Sequence, residues 1–190
     1  MSAPPIAYVT GNQAKLREVR RILGATTALE LEAIDVDLPE YQGTSDTVTR
    51  EKCKLAASIL GRPVLIEDTS LGFNALNGLP GPYIKWFSKS LGDEGLVKML
   101  EGFHDKSAFA LCTYAYSAGP DQEPILFHGR TNGTIVAPRG NNGFAWNAIF
   151  QPEGSDKTYA EMTDDEKNAV SHRGRGLALL VEHFGGGSKA

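Results

Sequence analysis

The sequence predicts an α/β fold with an added antiparallel lobe, and three observations predict it. A short apolar run, Ile6 to Val9, leads through Thr10-Gly11-Asn12 into Leu16, Val19, Ile22 and Leu23 at helical spacing, which reads as strand, tight turn and helix. Val64-Leu65-Ile66 is wholly apolar, the pattern of a strand buried on both faces. Two long β candidates, Ala108 to Ser117 and Ile125 to Val136, are joined by Ala118-Gly119-Pro120-Asp121, a segment that suits antiparallel strands. With 190 residues, 41% of them hydrophobic, the chain has the size of one globular domain. That domain is assigned to residues 1–184, and residues 185–190 are expected to be a disordered tail.

Each element has a local reason. The first helix is expected to end at Gly24, and a second strand lies around Leu29 to Val36, before the polar loop Asp37 to Gly43. Ser45 is expected to cap a helix carrying Val48, Lys52, Leu55, Ala56 and Ile59, closed by Gly61 and Pro63. Val64-Leu65-Ile66 runs straight into Glu67-Asp68, so the two carboxylates are expected at the carboxyl end of that strand. Residues 71–82, rich in Gly, Pro and Asn, read as a shaped loop, with Pro82 as the first residue of a helix through Ile84, Trp86 and Phe87. Thr163-Asp164-Asp165-Glu166 has the capping-box pattern, and a final amphipathic helix holds Leu177, Leu180, Val181 and Phe184.

Composition excludes several function classes. The net charge of −4, from 19 Lys plus Arg and 23 Asp plus Glu, gives no basic field for sequence-independent nucleic-acid binding. No apolar run approaches the roughly 20 residues that span a bilayer, and Met-Ser-Ala-Pro-Pro has no leader pattern, so a cytoplasmic protein without a membrane partner is expected. Cys53 and Cys112 lack metal spacing and read as core residues; His104, His128 and His183 likewise show no ligand pattern. A Walker-type loop is absent, since no Gly directly precedes Lys157 in Gly154 to Thr158.

Four segments carry candidate chemistry. Thr10, Gly11, Asn12 and Lys15 lie where a strand enters a helix, a place whose free N–H groups and dipole suit phosphate; taken alone, Asn12 also reads as a helix cap. Glu67 and Asp68 could hold Mg²⁺ or activate a water, or be a turn residue and a cap, while Glu40 needs a second carboxylate beside it to become more than a solvated acid. The cations Lys15, Lys52, Lys85, Lys167 and Arg173 suit a triphosphate; Lys52 and Lys85 stand among apolar helical neighbours, where a lysine must snorkel or pair. Ser171-His172-Arg173 interrupts two helical stretches, with Ser171 as a candidate cap for the last helix. In Asn142-Gly143-Phe144-Ala145-Trp146-Asn147, aromatic faces can stack on a base for about 1–3 kcal/mol each and an amide can pair with its edge; core packing is the other reading.

Together these segments resemble the inosine triphosphate pyrophosphatase family, the Ham1-like enzymes for non-standard purine nucleotides. The resemblance is carried by Val9-Thr10-Gly11-Asn12, Leu38 to Gly43, Glu67-Asp68-Thr69, Phe73 to Leu76, Gly78 to Phe87, Ala137 to Gly140 and Glu166 to Arg173, across about residues 6–184. It implies a homodimeric α/β protein with an elongated mixed β-sheet flanked by helices, in two lobes with a nucleotide-binding cleft between them. It also implies conversion of ITP, dITP and XTP to monophosphate and pyrophosphate, with Mg²⁺, or Mn²⁺ as a substitute. Carried over by position, Glu40 and Asp68 serve the metal, and Asp68, Glu67 and Lys15 are the catalytic candidates. Thr10, Gly11, Asn12, Lys15, Lys52, Lys85, Phe144, Trp146, Asn147, Lys167, His172 and Arg173 are expected to bind substrate. One segment departs: the family's Phe-Gly-Trp-Asp-Pro is Phe144-Ala145-Trp146-Asn147-Ala148 here, which replaces a pure acceptor by an acceptor and donor and implies broadened purine selectivity. A nucleotide-binding protein with reduced or no turnover is the alternative.

Overall fold

The computed structural model describes residues 5–23, 29–141 and 144–185. Gly24, Asn142, Gly143 and the tail from residue 186 lie outside the described residues. Seven strands, β1 (Ile6–Val9), β2 (Leu31–Ile34), β3 (Val64–Phe73), β4 (Pro80–Gly81), β5 (Ser107–Ser117), β6 (Ile125–Ile135) and β7 (Phe150–Pro152), form a mixed sheet. Its order is β2-β1-β3-β5-β6-β7, with β4 on β3. The helices among the described residues are α1 (Gln13–Leu23), α2 (Ser45–Leu60), α3 (Ile84–Lys98), α4 (Asp164–Val170) and α5 (His172–Gly185). β1 is parallel to β2 and β3, whereas the β3–β4 and β6–β7 pairs are antiparallel, so the predicted mixed α/β class holds.

The chain divides into two compact units: Met1–Asp68, Cys112–Gly129 and Arg173–Ala190 form one, Thr69–Leu111 and Arg130–His172 the other. In the first unit, helices cover both faces of β1 and of the start of β3, which is why those strands are apolar without alternation. Tyr8 and Leu65 point to one face, packed with Leu16, Val19 and Leu23 of α1 and with Leu177 and Leu180 of α5. Ala7, Val9, Val64 and Ile66 point to the other, where Cys53, Ala56 and Ala57 of α2 are small enough to let the helix sit close. Both cysteines are buried and reduced, Cys53 donating to the Ala115 carbonyl at 3.4 Å. In the second unit, Leu71 and Phe73 of β3, Ala108 and Ala110 of β5, Ile84 and Leu96 of α3, and Trp146, Phe150 and Tyr159 make one core. Each such large apolar side chain contributes about 1.5–3 kcal/mol by leaving water.

Several boundaries differ from expectation, each for a local reason. Thr44, not Ser45, caps α2: Thr44 is extended (φ −71°, ψ 162°) and its hydroxyl accepts from the Thr47 amide at 3.2 Å, with Ser45 already in the helix. Gly61 closes α2 in the left-handed region (φ 64°), as expected of a glycine there. β3 does not end at Glu67-Asp68. Its parallel pairing with β1 stops at Ile66, opposite Val9, but the strand continues to Phe73 because Leu71 and Gly72 pair with Gly81 and Pro80. The carboxylates therefore sit where β3 leaves β1, inside the strand, and residues 71–73 are strand rather than loop. Pro82 lies in a turn two residues before α3, which starts at Ile84 and kinks at Gly92 (φ 65°). The capping box of α4 is present as read, Thr163 and Glu166 bonding each other's amides at 3.2 and 2.8 Å.

Candidate functional site

Consecutive residues on a strand face opposite ways, so β3 sends Glu67 to the side of α1 and α5 and Asp68 to the side of α2. On the first side, Arg173, the second residue of α5, grips Glu67 with its guanidinium fork: Nε to Oε2 at 2.9 Å and Nη2 to Oε1 at 2.8 Å. Lys15 Nζ adds a contact to Oε1 at 3.2 Å, and the hydroxyls of Tyr8 and Tyr114 donate to Oε2 at 3.0 and 3.2 Å. The side chains of Glu67 and Arg173 are 1% and 3% exposed. Burial pushes the Glu67 carboxyl up, but Arg173 and then Lys15 outweigh it and hold the group well below the usual carboxylate range. Arg173 also pairs with Glu18 of α1, so one guanidinium ties α1, β3 and α5 together. A cation in the first turn opposes the helix dipole, and these two acids offset that cost.

On the other side, a single ammonium joins two acids. Lys52 Nζ donates to Glu40 Oε2 at 2.7 Å and stands 3.5 Å from Asp68 Oδ1. Glu40, from the loop before α2, thus shares one ammonium with a second carboxylate. Burial raises the Asp68 pKa first, with Glu40 and Glu67 adding to the rise against Lys15 and Lys52, opposite in direction to Glu67. Burial disfavours the Lys52 charge, yet Asp68 and Glu40 outweigh it and raise its pKa. Among the described residues no three His, Cys, Asp or Glu side chains cluster to hold a metal. Two hard carboxylates with substrate oxygens do fit Mg²⁺, which takes one or two protein carboxylates and keeps waters.

The turn between β1 and α1 is more occupied than expected. Thr10 Oγ1 accepts from the Asn12 amide at 3.1 Å, and Asn12 Oδ1 accepts from Ala14 and Lys15 at 3.0 and 3.2 Å. Asn12 is therefore a true helix cap, and three of the amides expected to face a phosphate are already met by side chains. The Lys15 side chain, held near Glu67 and its carbonyl (3.4 Å), is the cationic group that this turn offers.

The second unit holds the other candidates. Trp146 is a core residue, 4% exposed: Phe150 meets it edge-on at 5.6 Å and His172 lies 5.5 Å away at 34°, itself stacked on Tyr159 at 5.9 Å. Its faces are covered by the protein, so the packing reading of this tryptophan is the one realised. Phe144, in contrast, is exposed. Asn147 is buried, with its backbone tied to Phe144 and Ala160, while its side-chain amide makes no hydrogen bond among the described residues. Lys167 is buried with Nζ 5.8 Å from the Tyr159 ring, and Lys85 is exposed over Trp86 at 5.3 Å. Ser171 is the one extended residue between α4 and α5. A separate polar cavity of about 510 Å³, lined by Asn74, Arg130, Asn132 and Gln151 among others, contains none of the candidate residues.

Sequence reasoning missed Tyr8, Tyr114 and Glu18. The available signal was a phenol at Tyr8 inside an otherwise aliphatic strand, since a buried tyrosine hydroxyl needs a partner.

A family model described as the Ham1 family matches residues 6–183. A curated protein of Batrachochytrium dendrobatidis named inosine triphosphate pyrophosphatase is 60% identical over 179 residues, spanning 94% of this chain and 93% of the relative. One of the same name from Yarrowia lipolytica is 57% identical over 175 residues, spanning 92% and 93%. The solved Ham1 protein of Staphylococcus aureus superposes with a TM-score of 0.82 at 28% identity, over 96% of this chain and 99% of that one. No described helix is long and apolar enough to cross a membrane.

Proposed function

Because the chain belongs to the Ham1 family, we propose that it hydrolyses the non-standard purine nucleoside triphosphates ITP, dITP and XTP to monophosphate and pyrophosphate. The observation that carries the reading is the pair of acids, Glu40 and Asp68, brought to one lysine beside a third acid, Glu67, that is held by Arg173. The names of the two curated relatives support the substrate class.

In this reading Glu40 and Asp68 hold Mg²⁺, which when bound neutralises triphosphate oxygens and acidifies a water. Asp68, which stands beside Lys52 and Glu40, takes the proton of the attacking water. The water oxygen forms a bond to the α-phosphorus as the α–β anhydride bond breaks, giving the monophosphate, and pyrophosphate leaves with the bond electrons. Lys15 and Lys52 offset the charge growing on that leaving group. Glu67 is an anchor for Lys15 and Arg173 rather than the base, since its oxygens are committed to five donors. Phe144 and Asn147 meet the purine, with Trp146 supporting them from the core. Arg173 acts through Glu67. The acting form is taken as a cytoplasmic homodimer, which light scattering and cell fractionation test.

Product analysis tests the reaction. The protein with Mg²⁺ and ITP is expected to release monophosphate and pyrophosphate in equal amounts, to stop on chelation and to restart with Mg²⁺ or Mn²⁺. Diphosphate with orthophosphate, or binding without product, would sink the reading.

A further inference from the structure

We propose that Tyr8 and Tyr114 are positioning residues for this reaction: their hydroxyls lock one oxygen of Glu67 so that the other is aimed at Lys15. Tyr8 comes from β1, Tyr114 from β5 and Glu67 from β3, and the two phenols converge on the same atom, Oε2, at 3.0 and 3.2 Å. Arg173 Nε takes the third place on that oxygen at 2.9 Å. An ionised carboxylate offers about four lone-pair sites over two oxygens, so three donors leave Oε2 no capacity for water or substrate. Oε1 receives Arg173 Nη2 at 2.8 Å and Lys15 Nζ at 3.2 Å. Lys15 is thus held by the oxygen that the phenols do not touch.

The arrangement supplies what Arg173 alone does not. Terminal torsions of glutamate are broad, and a carboxylate held from one direction can rock about its last bond. Both phenols are fully buried, 0% exposed, on β1 and β5, the two strands that flank β3, so they brace Oε2 from the sheet while Arg173 approaches from α5. The ammonium of a long, flexible lysine then has a fixed anchor and a defined reach. Packing alone requires only the rings of Tyr8 and Tyr114, which lie among Leu16, Leu65, Phe127 and Leu177. The hydroxyls are extra, and each buried one had to find a partner.

The inference rests on the reading of Lys15 as a phosphate ligand, and a double-mutant cycle separates the two. Tyr8→Phe, Tyr114→Phe and the pair are made in the parent and in a Lys15→Met background, and KM for ITP, kcat and the Mg²⁺ activation constant are measured. Thermal melts identify the variants that fold, and either single change serves if the double does not. In the parent the double change is expected to raise KM about tenfold, the value of one hydrogen bond to a charged group. The Mg²⁺ constant, set by Glu40 and Asp68, is expected to stay within about twofold. In the Lys15→Met background the same change is expected to move KM less than about twofold, because the contact through which it acts is gone. An unchanged KM in the parent, or an equal rise in both backgrounds, overturns the positioning role and leaves the Lys15 reading intact. If Lys15→Met by itself leaves KM unchanged, the Lys15 reading fails and this inference with it.

Discussion

Replacing Arg173 by methionine removes the fork that holds Glu67 while keeping a long, flexible stem in the same space. The magnitude follows from burial: with the two side chains 3% and 1% exposed, the pair is not among the surface ion pairs worth under about 1 kcal/mol. Breaking a buried pair by removing one partner costs about 3–5 kcal/mol, because the remaining charge stays buried. Lys15, Tyr8 and Tyr114 still donate to Glu67, which places this site near about 3 kcal/mol. Glu18 also loses its partner, but its side chain is 21% exposed and reaches water. For a chain of this length each kcal/mol moves Tm by about 2–4 °C, so a fall of about 6–12 °C is expected at neutral pH. Calorimetry measures Tm, and a urea titration checks that the midpoint falls without a change in slope. Arg173→Lys, which keeps the charge without the fork, is expected to lie between variant and parent. A melt of Arg173→Met within about 2 °C of the parent would show that the lysine and the two phenols satisfy Glu67 unaided, and the central place given to Arg173 would be wrong.

Three further outcomes follow from single residues. Ala145 stands in the left-handed region (φ 51°) where the family pattern has glycine, so Ala145→Gly is expected to stabilise by about 1 kcal/mol; a lower Tm would refute the strain. Glu166 is held down to about 2, first by Lys157 and then by the Thr163 amide, so its folded value lies below the unfolded one and its contribution is whole above about pH 4.3. That contribution disappears as pH falls toward 2; the gap in Tm between the parent and Glu166→Gln should therefore close over that window, and a gap that persists at pH 2 contradicts the pairing. Asn147→Asp is expected to raise the ratio of kcat/KM for ITP over ATP by about tenfold or more, since an amide can pair with either purine and a carboxylate cannot. Equal ratios would remove Asn147 from base selection.

Local chemistry was enough for much of this protein. The Ile6–Val9 strand with its turn and helix, the two long strands Ser107–Ser117 and Ile125–Ile135 and the Thr163–Glu166 capping box are short-range patterns, visible because their periods and caps depend on neighbours in sequence. The residue types are equally legible: Glu40, Lys52 and Asp68 are candidates by sequence alone, and the fold brings the three together. What sequence could not decide was which acid does what. Glu67 and Asp68 are adjacent in sequence and carry the same functional group. Only the pleat of β3, with α1 and α5 on one side and α2 on the other, gives the first five donors and a lowered pKa and the second a crowded, raised one. Trp146 was undecidable for the same reason, because a tryptophan that stacks on a base and one packed by Phe150 and His172 are the same residue until the chain is folded. Partners 47, 59 and 106 residues away along the chain set the state of Glu67, and distances of that kind are fixed by tertiary packing alone.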